Sequence, residues 1–554
     1  MEPHDIAAAW LHGFALAAFR GDVAATVDTI LPDGFLRDWL VFTWDIRSLE
    51  GHASISAYLV PTLVSTHLYN FKLDDRAGAA PETVLDVGVG AGFTFEMPHR
   101  RGRGYVRLFP STCDITKEWK AMSLFLMVED IKGHEELGPE LGVYGGHTLS
   151  WAEVLAERRA SIEKDPYVPV GAGQNGLNIA ARFKQWSIPT LVVEKNHRVG
   201  DNWRQRYPTL SLHTTRQFCR FLYQPFPENW PTFSPRDKLA DWMDQYAVSQ
   251  DLVVWTDSEI KPCAQYDDTS GRWTVIISRN GADIVLRPAH IICAAGITGP
   301  PQMPHVSNSD VFRGEVMHAV AYQGGQPYVG KRTIVVGACQ SAADICQDLA
   351  FQGAASVTMV QRSSTCVVSI KTSTEEIGAL YREDLSIDVC DLRFFSTPRN
   401  LIRRMLKASE SFLWAREADL HAKLKKGGMK LNMGDGSGYL TLGLERLGGR
   451  LSGWDVGLAD YIDSGRVRIK QGVEVTEYTH DGVVFTDGSK MPADLVIFAT
   501  GYGDLRDRLR PIFGIDVIEQ AGLVWGMDEE GETRGSYRPT GHPGVGTVTS
   551  RVHV

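Results

Sequence analysis

Paired cysteine chemistry is the first thing this sequence lacks. Its eight cysteines are scattered over 554 residues with no C-x-x-C among them, which argues against a zinc ribbon, a disulfide framework and a dithiol redox pair, so no metal site is expected. Unpaired thiols fit a reducing compartment. No apolar run of about 18 residues occurs, so no membrane-spanning helix is expected. Positive charge is in deficit, with 57 Lys and Arg against 67 Asp and Glu, a formal charge of −10 spread along the chain. That balance argues against nucleic acid as a partner. The opening Met1-Glu2-Pro3-His4-Asp5 lacks the basic residues of a secretory signal, and a cytoplasmic protein is expected.

What is present is ample material for large cores, 43% apolar residues with 10% aromatics, enough for several domains. Residues 1–150 read as a separate α+β module. An amphipathic stretch at 6–20 precedes strand-like runs at 35–46, 83–89, 93–97, 105–108 and 119–128. Arg100-Arg101-Gly102-Arg103-Gly104 reads as a solvated hairpin tip. Residues 151–164 form a polar, charged helical linker broken by Asp165-Pro166. Beyond it strands and helices alternate, as in doubly wound parallel sheets.

The first chemistry-bearing motif is Gly171-Ala172-Gly173-Gln174-Asn175-Gly176, between a short strand at 167–170 and a helix at 177–186. Gly171 makes the tight turn, Gly173 admits a pyrophosphate to the backbone, and Gly176 lets the helix pack closely. The helix N-terminus offers N–H groups and a positive dipole end to phosphate. The second strand, 190–194, ends in Glu194, whose carboxylate suits the hydroxyls of an adenosine ribose and favours FAD or NAD over NADP. Pro169 removes a ladder donor and is expected to weaken or shift the first strand. Gly200-Asp201-Asn202-Trp203-Arg204 reads as a turn at the edge of the same site. Ser234-Pro235-Arg236-Asp237 reads as an N-cap, a first-turn proline and a capping-box acid for a helix at 236–247.

A second motif, Gly337-Ala338-Cys339-Gln340-Ser341-Ala342, lies between a strand at 333–336 and a helix at 341–351. Cys339 replaces the middle glycine, so a slightly displaced dinucleotide or compensation nearby is expected. The following strand, 356–360, runs into Gln361-Arg362-Ser363-Ser364 with no carboxylate, and Arg362 with Ser363 suits a 2′-phosphate. The pair therefore reads as FAD first and NADPH second.

Phe312-Arg313-Gly314-Glu315-Val316-Met317-His318-Ala319-Val320-Ala321-Tyr322 resembles the F-x-G-x-x-x-H-x-x-x-[YF] identifier of class B flavoprotein monooxygenases, the flavin-containing monooxygenase family, through Phe312, Gly314, His318 and Tyr322. Ala294-Ala295-Gly296 and Ala499-Thr500-Gly501-Tyr502 resemble the family's two A-T-G-type strand ends. The segment from Leu210 through His213 to Cys219 is similar to plant YUCCA-type indole-3-pyruvate monooxygenases. The resemblance spans about residues 160–545, and residues 1–150 resemble a SnoaL-like cone.

The resemblance implies two Rossmann-like domains, the NADPH domain inserted in the FAD domain, behind an α+β cone-like domain. The expected divisions are 1–150 for the cone, 151–165 for the linker helix, 166–305 and 465–554 for the FAD domain, and 306–464 for the NADPH domain with helical decoration. It implies FAD contacts at Lys195, Asn202, Trp203, His213, Thr500 and Gly501 besides the first motif and Glu194, and a hinge role for His318. It implies a monooxygenase of secondary metabolism: NADPH reduces the flavin, oxygen adds at the flavin 4a carbon, and one atom passes to a small organic substrate. The cofactors carry that chemistry, so no catalytic acid or base is named. After Gly541-His542-Pro543-Gly544 the tail departs from the family pattern and reads as truncated or frame-shifted. The tail and Cys339 motivate two alternatives, an uncoupled NADPH oxidase and a non-catalytic nucleotide-binding scaffold. A homodimer through the cone is the expected assembly.

Overall fold

Helix Pro3–Phe19 forms as its spacing predicts, with Pro3 in the first turn and Ile6, Ala7, Trp10, Leu11, Phe14, Ala17 and Ala18 buried along one stripe. The computed structural model describes residues 2–111, 118–438 and 453–547. They fall into two units, one comprising Met1–Gly138, Ile377–Met405 and Met527–Thr533, the other Pro139–Glu376, Leu406–Gly526 and Arg534–Val554.

In the first unit a seven-stranded sheet carries Ile46–Glu50, Ile30–Trp39, Trp119–Ile131, Arg100–Pro110, Gly88–Met97 and Tyr69–Leu73 in that order, with Glu82–Val84 beside Gly88–Met97. Only Ile30–Trp39 and Trp119–Ile131 pair in parallel among these. Alternation sends Leu36, Val106, Leu124 and Leu126 into the core around Trp10 and Phe14. The opposite face is covered by the chain's own later segments. Trp39 packs on Phe125 and Phe395, and Arg107 donates to Ser396 Oγ at 2.8 Å and the Arg393 carbonyl at 3.0 Å. Arg37 grips Glu532 through two bonds of 2.8 Å, with only 2% and 4% of the two side chains exposed.

Two expectations are corrected here. The strand expected at 35–46 is two strands, because the Asp38 carboxylate accepts the Val41 and Phe42 amides and bends the chain, with Leu40 at φ 67°. Arg100 to Gly104 are not a hairpin tip. The turn is Pro98-His99, and Gly102 and Gly104 lie within strand Arg100–Pro110, where a Cβ would strike the rings of Phe95 and Phe93.

The second unit begins with helix Trp151–Lys164, opened by a capping box between Ser150 and Glu153. It docks through Ile162 on the first nucleotide sheet, and its Glu163 accepts the Trp255 indole N–H at 2.9 Å. That sheet is five parallel strands in the order Val253–Trp255, Leu191–Val193, Val168–Val170, Ile291–Cys293 and Val545–Thr547. Their uninterrupted apolar runs suit a sheet buried on both faces. Pro169 has the expected effect: pairing towards Leu191–Val193 is confined to Val170↔Val193 and an isolated Tyr167↔Thr190 bridge, leaving the proline out.

A second parallel sheet carries Glu315–His318, Leu495–Phe498, Arg332–Val336, Ser356–Gln361 and Val467–Gln471. All of it falls in sequence between two strands of the first sheet, so the α/β architecture is two Rossmann-like sheets with the second inserted in the first. Strand Val545–Thr547 extends the first sheet beside Ile291–Cys293; residues 548–554 of the atypical tail lie outside the described residues. At 234–237 the expected capping box does not form. Pro235 is itself the cap residue of helix Arg236–Ser249, and the Ser234 hydroxyl instead accepts the Trp230 indole N–H at 2.9 Å. Among the described residues no helix is long and apolar enough to cross a membrane.

Candidate active site

Both fingerprints open on a glycine of positive φ. Gly171 and Gly337 take φ of 103° and 130°, and a Cβ on either would press against the carbonyl oxygen of Ala294 (2.9 Å) or Ala499 (2.5 Å). These alanines follow Ile291–Cys293 and Leu495–Phe498, which gives the two A-T-G-type strand ends a physical meaning: each lies against the first glycine of one turn. Gly176 is tight for another reason, since a Cβ there would collide with the Gly171 carbonyl, and Ala342 at the matching place is fully buried. Gly173 differs, because its φ of −78° suits any residue and a Cβ would meet nothing within 4 Å. Its smallness leaves open space before the N-terminus of helix Gln174–Gln185, as a pyrophosphate requires. Cys339 holds the same extended backbone before helix Gln340–Gln352, at φ −103°, and puts its side chain where the first site is open.

Glu194 is buried directly after Leu191–Val193. One oxygen accepts the Ala172 amide at 2.7 Å, and the other accepts the Asn196 backbone and side-chain N–H at 2.9 and 2.7 Å. A carboxylate fixed against the fingerprint turn in this way suits a ribose. Lys195 and Asn202 are exposed. Trp203 belongs to the one-turn helix Asp201–Arg204 entered at Gly200, packs on the core around Leu177, Val192 and Tyr246 and has its indole nitrogen buried without a partner among the described residues. At the second site Arg362 and Ser363 follow Ser356–Gln361 and are exposed; Arg362 pairs with Glu474 at 3.0 Å, a solvated pair that phosphate can exchange.

The identifier residues each have an observed contact. Phe312 stacks on Tyr478 at 5.2 Å, and a Cβ on Gly314 would strike the Phe312 ring and the Asp494 carbonyl. His318 Nε2 lies 3.0 Å from the Gly501 carbonyl, its Nδ1 accepts the Val320 amide at 3.1 Å, and its ring meets Tyr502 edge-on. Burial pushes its pKa down, so the imidazole stays neutral. Gly501 also accepts the Gln302 amide, while the Thr500 hydroxyl donates to the Gln302 carbonyl at 2.5 Å. Tyr322 is buried and donates to Asp348 at 2.7 Å.

Apart from His213, sequence reasoning missed the lining of a cavity of about 240 Å³, which brings His213 and Tyr207 against Asp344 and Gln347 of helix Gln340–Gln352, with Phe233 and Tyr461. Tyr207 donates to Asp344 at 2.6 Å, and His213 Nε2 stands 3.7 Å from the same carboxylate. The one available signal was the acid at 344, a helical turn beyond Gln340. Burial pushes the Cys293 and Cys366 thiols up to about 12.

Two fingerprinted parallel sheets, one inserted in the other, define a two-dinucleotide oxidoreductase. The chain belongs to the flavin-binding monooxygenase-like family, whose model matches residues 195–505. It is accordingly a flavin-dependent monooxygenase. The chain is 29% identical over 353 residues to the indole-3-pyruvate monooxygenase YUCCA1 of rice, Oryza sativa subsp. japonica, covering 63% of this chain and 80% of that protein. It is 28% identical to the probable indole-3-pyruvate monooxygenase YUCCA9 of Arabidopsis thaliana, covering 63% and 77%. Among solved structures it is similar to cyclohexanone monooxygenase bound to epsilon-caprolactone, with TM-score 0.47, 19% identity and 63% and 75% of the two chains covered. A flavin-containing monooxygenase of Stenotrophomonas maltophilia gives TM-score 0.47 at 15% identity, covering 70% and 94%.

Proposed function

We propose that FAD binds at the 171–176 turn and Glu194, that NADPH binds at the 337–342 turn with Arg362 and Ser363, and that the protein transfers one oxygen atom from O2 to a small organic molecule. The observation carrying the first assignment is the buried Glu194 carboxylate, fixed on the Ala172 amide, beside a turn open only at Gly173. Supporting the second is the strand end at 361, where a cation stands in place of an acid. FAD, when bound, supplies the redox and oxygen chemistry. The chain's contributions are placement and exclusion of water: helix N-termini face the phosphates, Glu194 accepts ribose hydroxyls, Arg362 exchanges Glu474 for a 2′-phosphate, and His318 ties the identifier to the Gly501 strand end as a hinge between the domains.

This reading divides the chain as expected at 1–150, 151–165, 166–305, 306–464 and 465–554. The helix-covered mixed sheet supports a SnoaL-like identity for the first of these. A cytoplasmic location agrees with cysteines scattered without a C-x-x-C pair, and light scattering tests the homodimer.

The deciding experiment is the absorption spectrum of the FAD-loaded protein during anaerobic NADPH addition, followed by oxygen and candidate substrates. Bleaching of the flavin band and a product carrying one added oxygen are expected. Hydrogen peroxide equal to NADPH consumed with every substrate would establish the oxidase alternative, and a protein that takes up no FAD and leaves NADPH unconsumed would overturn the reading.

A further inference from the structure

Asp344 lies one turn inside helix Gln340–Gln352 and holds both neighbours in reach of its two oxygens. Oδ1 accepts the side-chain amide of Gln340, a residue of the second fingerprint, at 2.9 Å. Oδ2 accepts the Tyr207 hydroxyl at 2.6 Å. Tyr207 belongs to the segment between the first fingerprint and His213, so it reaches the second nucleotide turn from the first nucleotide-binding region. Its ring is buried against Tyr322 at 6.0 Å, and His213 stands 3.7 Å from the same Asp344 oxygen. A planar carboxylate accepting one bond on each oxygen has little rotational freedom, and fixing it fixes the amide it holds. Burial and the neighbouring carboxylate push the Tyr207 phenol far up, so it remains a donor.

We propose that Tyr207, acting through Asp344 on Gln340, is a positioning residue that links the first nucleotide-binding region to the turn receiving the second nucleotide. The inference rests on the assignment of NADPH to the 337–342 turn. Linkage of this kind changes affinity for the second nucleotide without entering the chemistry. The phenol's hydrogen bond goes to Asp344 rather than to the Gly171 turn or Glu194.

The experiment uses the full-length, FAD-loaded protein and titrates NADP⁺ calorimetrically into wild type, Tyr207→Phe, Asp344→Asn and Arg466→Met. Arg466 donates to the Ala350 carbonyl, 2.6 Å away at the far end of the same helix, so its variant reports general loosening of that helix. Tyr207→Phe and Asp344→Asn should each weaken NADP⁺ by about fivefold, within the usual span of coupling between sites. KM for NADPH should rise in step, with flavin content near wild type, and Arg466→Met should bind NADP⁺ normally. Unchanged NADP⁺ affinity in Tyr207→Phe overturns the proposal, as does an equal loss in Arg466→Met. If Tyr207→Phe does not fold, Asp344→Asn carries the same comparison. A wild-type protein that binds no NADP⁺ overturns the nucleotide assignment together with the linkage through Tyr207, whereas normal binding in every variant overturns the linkage alone.

Discussion

At Gly173 a Cβ would meet no heavy atom within 4 Å, whereas at Gly176 it would press into the Gly171 carbonyl. One fingerprint thus contains two glycines of opposite purpose, one leaving space for a ligand and one for the protein itself. Gly173→Ala is expected to leave the flavin-free melting temperature unchanged and to weaken FAD by about tenfold, because the methyl group stands where the pyrophosphate approaches. Gly176→Ala should instead cost about 1 to 3 kcal/mol of stability through overpacking, with or without flavin. Thermal melts in the presence and absence of FAD separate the two. Both glycines were legible in the sequence, since the motif names them. Their different roles were not, because the obstacle at each position is a backbone group or empty space that spacing does not reveal.

Among elements, the split of one expected strand into Ile30–Trp39 and Ile46–Glu50 turns on Asp38. Alternating apolar residues continue through 35–46 and read as one strand. Only the fold places the Asp38 carboxylate under the Val41 and Phe42 amides, with the Tyr58 hydroxyl donating to it at 2.6 Å. Burial outweighs these bonds and raises its pKa from 3.8 to about 6. A carboxyl with a raised folded pKa contributes stability that is complete below the unfolded value and is lost as pH rises through the folded one. The first unit should therefore lose up to about 3 kcal/mol between pH 4 and 6 from this group. Asp38→Asn should flatten that part of the pH profile in denaturant melts, and an unchanged slope would show that another group sets it. Arg100 to Gly104 teach the same lesson, since three arginines and two glycines read as a solvated tip. The glycines are there because the rings of Phe95 and Phe93 occupy the space across the strand.

For the molecule as a whole, the first unit is assembled from three distant stretches of chain, and a buried ion pair joins two of them. Arg37 and Glu532 make two parallel bonds, and the Ser48 hydroxyl completes the carboxylate at 2.6 Å. Burial alone would raise the Glu532 pKa, yet the charges of Arg37 and Arg399 hold it below its usual value. Removing one partner strands the other in a dry interior, so Arg37→Met should cost about 3 to 5 kcal/mol, while Arg37→Met combined with Glu532→Leu should recover much of the loss. Hydrogen exchange is the measurement. The single variant should lose protection at 385–399 and 527–533 together while helix Pro3–Phe19 keeps its own, and loss confined to 530–534 would show that the segments are held independently.

By itself the sequence determined the two strand–turn–helix units, their order, the acid at 194, the cation at 362 and the identifier around His318. Each of these is decided within a few turns of chain, by backbone dihedrals, helix ends and alternation, which act between near neighbours. The tertiary structure alone decided that Ala294 and Ala499 crowd the first glycines, that Tyr207 reaches Asp344 across 137 residues and that Arg37 finds Glu532 across 495. Such contacts depend on where separate elements dock. The free energy that selects the docking comes from burial summed over whole faces, which no local motif encodes.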